Sequence, residues 1–158
     1  MQKNSNHIPH RPGPNLCAAC FIAIAMLATT ATIEAQAAFD LEVTVEGAQE
    51  GVGQIILSLF NSRQSHLNEP VQDFLLQIGA GGRAEFVFSA LPAGTYSVSA
   101  IWDEDGDGEL DTGFLGIPSE PVGFSNNPTS RFGPPSFRKS SFELDKNTAI
   151  NIKLTSID

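Results

Sequence analysis

The chain has 158 residues, with 18 Asp and Glu against 9 Lys and Arg, a formal net charge of −9, 14 Gly, 10 Pro and an apolar content of 41%. That suits one ordinary domain with a real core and a loop-rich β character. The acidic surface repels phosphate backbones and anionic lipid, which excludes nucleic-acid binding and favours a basic partner or a divalent cation.

In chain order, residues 1–37 stand apart from the rest. Lys3 and Arg11 precede an apolar run over 16–28, and small residues then lead to Ala35-Gln36-Ala37. These are the charged, apolar and small-residue regions of a secretory signal peptide cut after Ala37. The run is shorter than the roughly 20 apolar residues that span a bilayer, so no stable membrane anchor is expected. An acylation box at Cys17-Ala18-Ala19-Cys20 is disfavoured because the apolar region follows the cysteine instead of preceding it. The expected location is periplasmic or secreted, with one domain over 38–158. Both cysteines fall in the leader, leaving that domain without disulfides or thiolate ligands.

From residue 39, Leu41, Val43 and Val45 alternate with Glu42, Thr44 and Glu46, which predicts a half-buried strand. Residues 54–60 repeat the pattern with Ile55, Leu57 and Leu59 on one face, after the glycine-rich turn GAQEGVG. Residues 61–70 are a polar connection in which His66 is expected at the surface. Residues 71–79 fit either a short strand or a helical turn, and their length favours the strand. Ala84, Phe86 and Phe88 share one face of a strand over 83–89, and LPAG at 91–94 predicts a turn with Gly94 available for positive φ.

Residues 95–102 read as a central core strand, with Tyr96, Val98, Ala100 and Trp102 on one face and Ser97, Ser99 and Ile101 on the other. The long segment 113–138 has no sustained period, but its Phe114, Phe124, Phe132 and Phe137 predict an ordered loop anchored on the core. Residues 141–144 and 149–154 close the chain as strands. About seven short strands and no long helical pattern predict an all-β fold, a single antiparallel β-sandwich.

Between the central strand and the long loop lies DEDGDGELD, residues 103–111, with six carboxylates. Asp103, Asp105, Asp107 and Asp111 fall at loop positions where alternate carboxylates wrap one cation, Gly108 sits at the sharp turn, and Glu109 offers its backbone carbonyl. An EF-hand would need a bidentate Glu where this chain has Phe114, and no helices flank the loop. The spacing therefore predicts a β-flanked D-x-D-x-D-G-x-x-D loop whose missing ligand comes from Glu120. Oxygen-only ligands select a hard ion, Ca²⁺ before Mg²⁺. An acidic hairpin tip that merely satisfies turn geometry is the competing reading.

Other constellations are thin. His66 is the only histidine beyond the leader and has no G-x-S-x-G elbow to serve. Asp111 and Glu120 allow a hydrolase as an alternative. Trp102, Phe124, Asn126 and Arg131 allow a calcium-dependent binder of carbohydrate or peptide, such as a cell-envelope glycan or protein. Arg131, Arg138 and Lys139 form the one basic cluster, expected to bridge to the acidic loop.

The stretch LPAGTYSVSAIWDEDGDGELDTGFLGIPSEPVGFSNN, followed by RFGPPSF, resembles the bacterial family known as domain of unknown function 2141 over about residues 41–154. The family pattern often has His before the first loop Asp, where this chain has Trp102. It has Gly and an aromatic after the Glu, where this chain has Pro121-Val122. The resemblance implies a secreted transthyretin-like or carboxypeptidase-regulatory-like β-sandwich with no assigned activity. The expectation is an exported, non-enzymatic module whose calcium loop orders the neighbouring segment.

Overall fold

The computed structural model describes residues 36–129 and 133–156. The expected signal peptide, up to residue 35, and Arg131 and Phe132 lie outside the described residues. Eight strands form in chain order: β1 (Ala38–Glu46), β2 (Gln54–Phe60), β3 (Gln72–Gln77), β4 (Arg83–Pro92), β5 (Gly94–Asp103), β6 (Val122–Phe124), β7 (Phe142–Leu144) and β8 (Thr148–Lys153). One short helix, α1 (Phe137–Ser140), precedes β7. No helix among the described residues is long and apolar enough to cross a membrane.

Two sheets pack face to face. One has the order β4-β1-β8; the other runs β3-β2-β5-β6, with β7 also paired to β5. The predicted inward faces meet between them: Leu41, Val43 and Val45 of β1, Ile55, Leu57 and Leu59 of β2, and Val98 and Ala100 of β5 are all buried. Each such aliphatic side chain contributes about 1.5–3 kcal/mol on burial, and in a domain without disulfides this core is the main source of stability. The ambiguous segment 71–79 resolves as the edge strand β3, and its Phe74 stacks against Phe86 and Phe88 of β4 where the two sheets' edges meet.

The all-β sandwich of mainly antiparallel strands is as expected, with one parallel pair within it: β1 runs beside β8, Leu41 opposite Thr148 through Glu46 opposite Lys153. A parallel pair needs a long crossover, and here the chain from β2 to β7 supplies it. The turn predicted at 91–94 is displaced. A bulge opposite Asp40, with Ala90 at φ 55°, shifts the side-chain phase, so that Leu91 is buried and β4 runs on to Pro92. Asp40 Oδ1 accepts the Ala90 N–H at 2.9 Å, and Gly94 keeps an ordinary φ. The long loop, finally, is partly strand: β6 lies along β5, Ser99 opposite Phe124 and Ile101 opposite Val122.

That strand explains why β5 is buried on both faces. Ser97 and Ser99 point away from the core, yet both are buried, with β6 paired alongside and Ser125 and α1 bonded to β5. Ser97 Oγ donates to Ser140 Oγ at 2.8 Å, while the Ser125 hydroxyl accepts the Val98 N–H at 2.9 Å and donates to the Ser140 carbonyl. Polar alternation along a strand normally signals solvent; here the serines are the hydrogen-bonded seam on which a second layer of chain sits.

Candidate metal centre

Asp103 ends β5 and Glu120 lies just before β6, so residues 104–119 are the tip of a long β5–β6 hairpin. Its base is closed by Trp102 N–H to Pro121 O at 2.9 Å. Within the tip, Ser119 N–H donates to Asp111 O at 3.0 Å, Gly113 N–H to Ile117 O at 2.7 Å, and Thr112 bridges Pro118 around a 3-10 turn at Phe114–Gly116. This inner hairpin returns the chain so that Glu120 arrives beside Asp103.

Asp103 has no solvent exposure. Its Oδ1 accepts Gly106 N–H at 2.8 Å and Asp107 N–H at 3.2 Å; its Oδ2 accepts Gln54 Nε2 at 2.7 Å and Gly108 N–H at 2.9 Å. Gly106 and Gly108, at φ 78° and 86°, let the backbone curl so that these amides point inward. Burial pushes the Asp103 carboxyl upward, but the bonds from Gln54, Gly108, Gly106 and Asp107 together outweigh it and hold the group below the ordinary value of 3.8. Asp103 is therefore an ionised hub about which residues 106–108 are wound.

Glu120 is 5% exposed. Its Oε1 accepts Glu104 N–H at 2.9 Å and its Oε2 accepts Asp111 N–H at 3.0 Å, so it ties both limbs of the tip together. Asp105 and Asp107 each accept an amide two residues on, at 3.2 Å and 2.8 Å, which is Asx-turn geometry. One carboxylate oxygen from each of Asp103, Asp105 and Glu120 lies within 4.8 Å of the others. Asp107, Glu109 and Asp111, also expected as ligands, are exposed and stand outside that group.

The lone-pair count sharpens the roles. A carboxylate has about four acceptor sites. Asp103 uses four, whereas Glu120 accepts two bonds and Asp105 one. Glu120 and Asp105 thus keep open capacity for a cation, and the weak, shared Asp107 N–H bond at 3.2 Å is the one Asp103 would give up. Among the described residues the ion pairs are those of Arg83 with Glu46 and Glu85; Arg138 and Lys139 do not bridge to the acidic loop as expected.

The other expected groupings separate. Trp102 faces the core side of β5 and donates Nε1–H to Val52 O at 2.9 Å, whereas Phe124 faces the opposite side, paired with Ser99. Asn126 is committed to the backbone, donating Nδ2 to Ser141 O at 2.8 Å. Phe114, expected on the core, is 87% exposed because it rides at the hairpin tip. His66 is not a free surface residue: it is half-buried between Phe60 and Phe137, with Nε2 at 3.0 Å from Pro135 O.

Two contributors escaped the sequence reading. Gln54 sits directly opposite Asp103 in the β2–β5 register, a pairing readable once the strands are aligned. Asn127 has no such signal; its amide donates to Asn151 O at 2.9 Å and its Oδ1 accepts Lys153 N–H at 2.8 Å, clamping the edge of β8 as a strand would.

No curated protein matches the chain. Among solved structures, the crystal structure of a DUF3823 family protein from Parabacteroides merdae ATCC 43184 is similar at 13% identity with a TM-score of 0.33, over 76% of this chain and 48% of that one. The chain thus spans about half the length of that protein. A β-sandwich carrying an acidic hairpin between the central strand β5 and the edge strand β6 is what the DEDGDGELD, GIPSE and GFSNN segments build, and residues 43–151 match the profile of the family described as "Uncharacterized protein conserved in bacteria (DUF2141)", to which this chain belongs.

Proposed function

We propose that this protein is an exported, non-enzymatic β-sandwich module whose β5–β6 hairpin binds one calcium ion. The observation that carries the reading is the convergence of two buried carboxylates, Asp103 and Glu120, from opposite limbs of the hairpin with Asp105 beside them. Like charges this close repel, and backbone amides offset only part of that cost. The donors are all oxygen, which suits a hard cation, and the surrounding Asp107, Asp111 and backbone carbonyls can extend the set toward the six to eight ligands of Ca²⁺. Glu120 is buried and each of its oxygens already accepts a backbone amide, which favours a ligand or structural role over that of a hydrolytic acid or base. Export rests on the leader pattern of residues 1–37.

Calorimetric titration of the purified protein with calcium tests this. The expected dissociation constant is on the order of 10–1000 µM, the span from sensor to extracellular sites. Asp105→Asn, at an exposed residue, weakens it by about tenfold or more while the protein stays folded. Absence of any calcium-dependent heat in the wild type returns the loop to an acidic turn held by its own amides.

A further inference from the structure

The two serines of β5 that face away from the core differ in one respect. Ser97 is bonded to Ser140 and roofed by α1. Ser99 is only 6% exposed and stands opposite Ser58 in the β2–β5 register, yet among the described residues neither the Ser99 nor the Ser58 hydroxyl has a hydrogen-bond partner. Above this pair lies a cavity of about 360 Å³. Its walls are Phe60, Ile101, Val122 and Phe124 from the sheet side and Leu110 and Pro118 from the acidic hairpin.

Ser58 is half-buried and both serines line the cavity, so two adjacent hydroxyls at the floor of an apolar cavity form a donor-acceptor pair open to one small polar group. The volume is in the range of small-molecule sites. Among the described residues no Lys, Arg or His lines the cavity, and the wall residue Leu110 lies between Glu109 and Asp111, whose charges repel an anion. No carboxylate among the described residues lines it either, so a cation there would lose its hydration without a counter-ion. Phe60 and Phe124 offer aromatic faces to a flat ring.

We infer that this cavity is a binding site for a small uncharged aromatic alcohol, its ring between Phe60 and Phe124 and its hydroxyl on Ser58 and Ser99. The inference stands apart from the calcium reading, since none of Asp103, Asp105 and Glu120 lines the cavity.

The test is an amide NMR titration of the protein with naphthol and, in parallel, with naphthalenesulfonate, which shares the ring system but carries a charge. Naphthol is expected to give saturable shifts confined to Ser58, Phe60, Ser99, Ile101 and Phe124, and the sulfonate to bind at least roughly tenfold more weakly, because its charge is buried unpaired. Ser99→Ala weakens naphthol by about three- to tenfold, the worth of one neutral hydrogen bond. Ser58→Phe fills the cavity from its floor and abolishes the shifts, with the amide spectrum itself reporting that the variant is folded. Shifts scattered elsewhere, equal binding of the sulfonate, or no saturable shift in the wild type would each overturn the assignment.

Discussion

At the level of single residues, two buried ionisable side chains do opposite things. Tyr96 is the chain's one tyrosine, and its hydroxyl donates to Pro92 O at 3.0 Å across the β4–β5 turn. Burial raises its pKa above the ordinary 10.0. The folded protein therefore holds this proton more tightly than the unfolded chain, so its contribution is intact below pH 10.0 and is lost as pH climbs from there through the folded value. Tyrosinate absorbance, which has a single source here, is expected to appear at higher pH in native than in urea-unfolded protein. Coincident titrations would contradict the burial argument. Tyr96→Phe removes the alkaline loss and lowers stability at neutral pH by about 1 kcal/mol, the worth of one hydrogen bond. Asp103 is buried as an anion instead, and its four donors leave no room for an amide: Asp103→Asn would turn an NH₂ toward two N–H groups. In chelator, its unfolding free energy by urea titration is expected to fall by about 2 kcal/mol or more, while Asp105→Asn changes little. Equal costs for the two would mean that Asp103 is not the hub of the hairpin.

Among the elements, β6 shows what was legible and what was not. The strands of the core were readable because apolar residues alternate where one face meets water, as in β1 and β2. β6 is only Val122–Phe124, too short for any period, and Gly123 lowers its strand propensity. The glycine is required by packing. A Cβ there would sit 2.6 Å from Ile152 Cγ2 and 2.8 Å from Lys153 O, because β6 closes the sandwich against β8. Val122 and Thr155 exchange backbone bonds at 3.0 and 2.9 Å on that same seam. Such proximity joins residues far apart in sequence and leaves no local trace. Gly123→Ala is accordingly expected to cost about 1–3 kcal/mol by overpacking, read as a lower urea midpoint. Gly113→Ala, whose Cβ meets nothing nearer than Ile117 O at 3.8 Å, is expected to be neutral. If both variants unfold at the wild-type midpoint, β6 is not wedged on β8. The acidic hairpin lies between these extremes. Its spacing pointed to Asp103, Asp105, Asp107, Glu109 and Asp111 with Glu120 as the missing ligand, and only the return of the chain through Thr112 and Pro118 decides which carboxylates meet: Asp103, Asp105 and Glu120.

For the whole molecule, the question is which part of the chain depends on the ion. The segment 122–127 is tied to both sheets: to β5 through β6, to Val98 through Ser125, and to β8 through Asn127. Loss of a cation removes none of those bonds. Residues 104–114, 116, 117 and 119 are exposed and Pro118 is half-buried, and the tip is gathered chiefly by bonds to Asp103 and Glu120. Calcium is therefore expected to order the hairpin tip and not the whole stretch to residue 137, which narrows the segment whose order the sequence tied to the ion. Local opening of such a unit costs less than global unfolding, and proteolysis tracks the population of the open form. Phe114, at the tip and 87% exposed, is a ready chymotryptic site. In chelator, chymotrypsin is expected to cut at Phe114 and to spare Phe124; calcium at about a hundred times its dissociation constant adds about 2.7 kcal/mol and slows the first cut by up to roughly a hundredfold. Mass spectrometry of the fragments decides the matter. Equal rates with and without calcium would dismiss the ion as the lock of the hairpin, and early cleavage at Phe124 would mean that β6 depends on the ion after all.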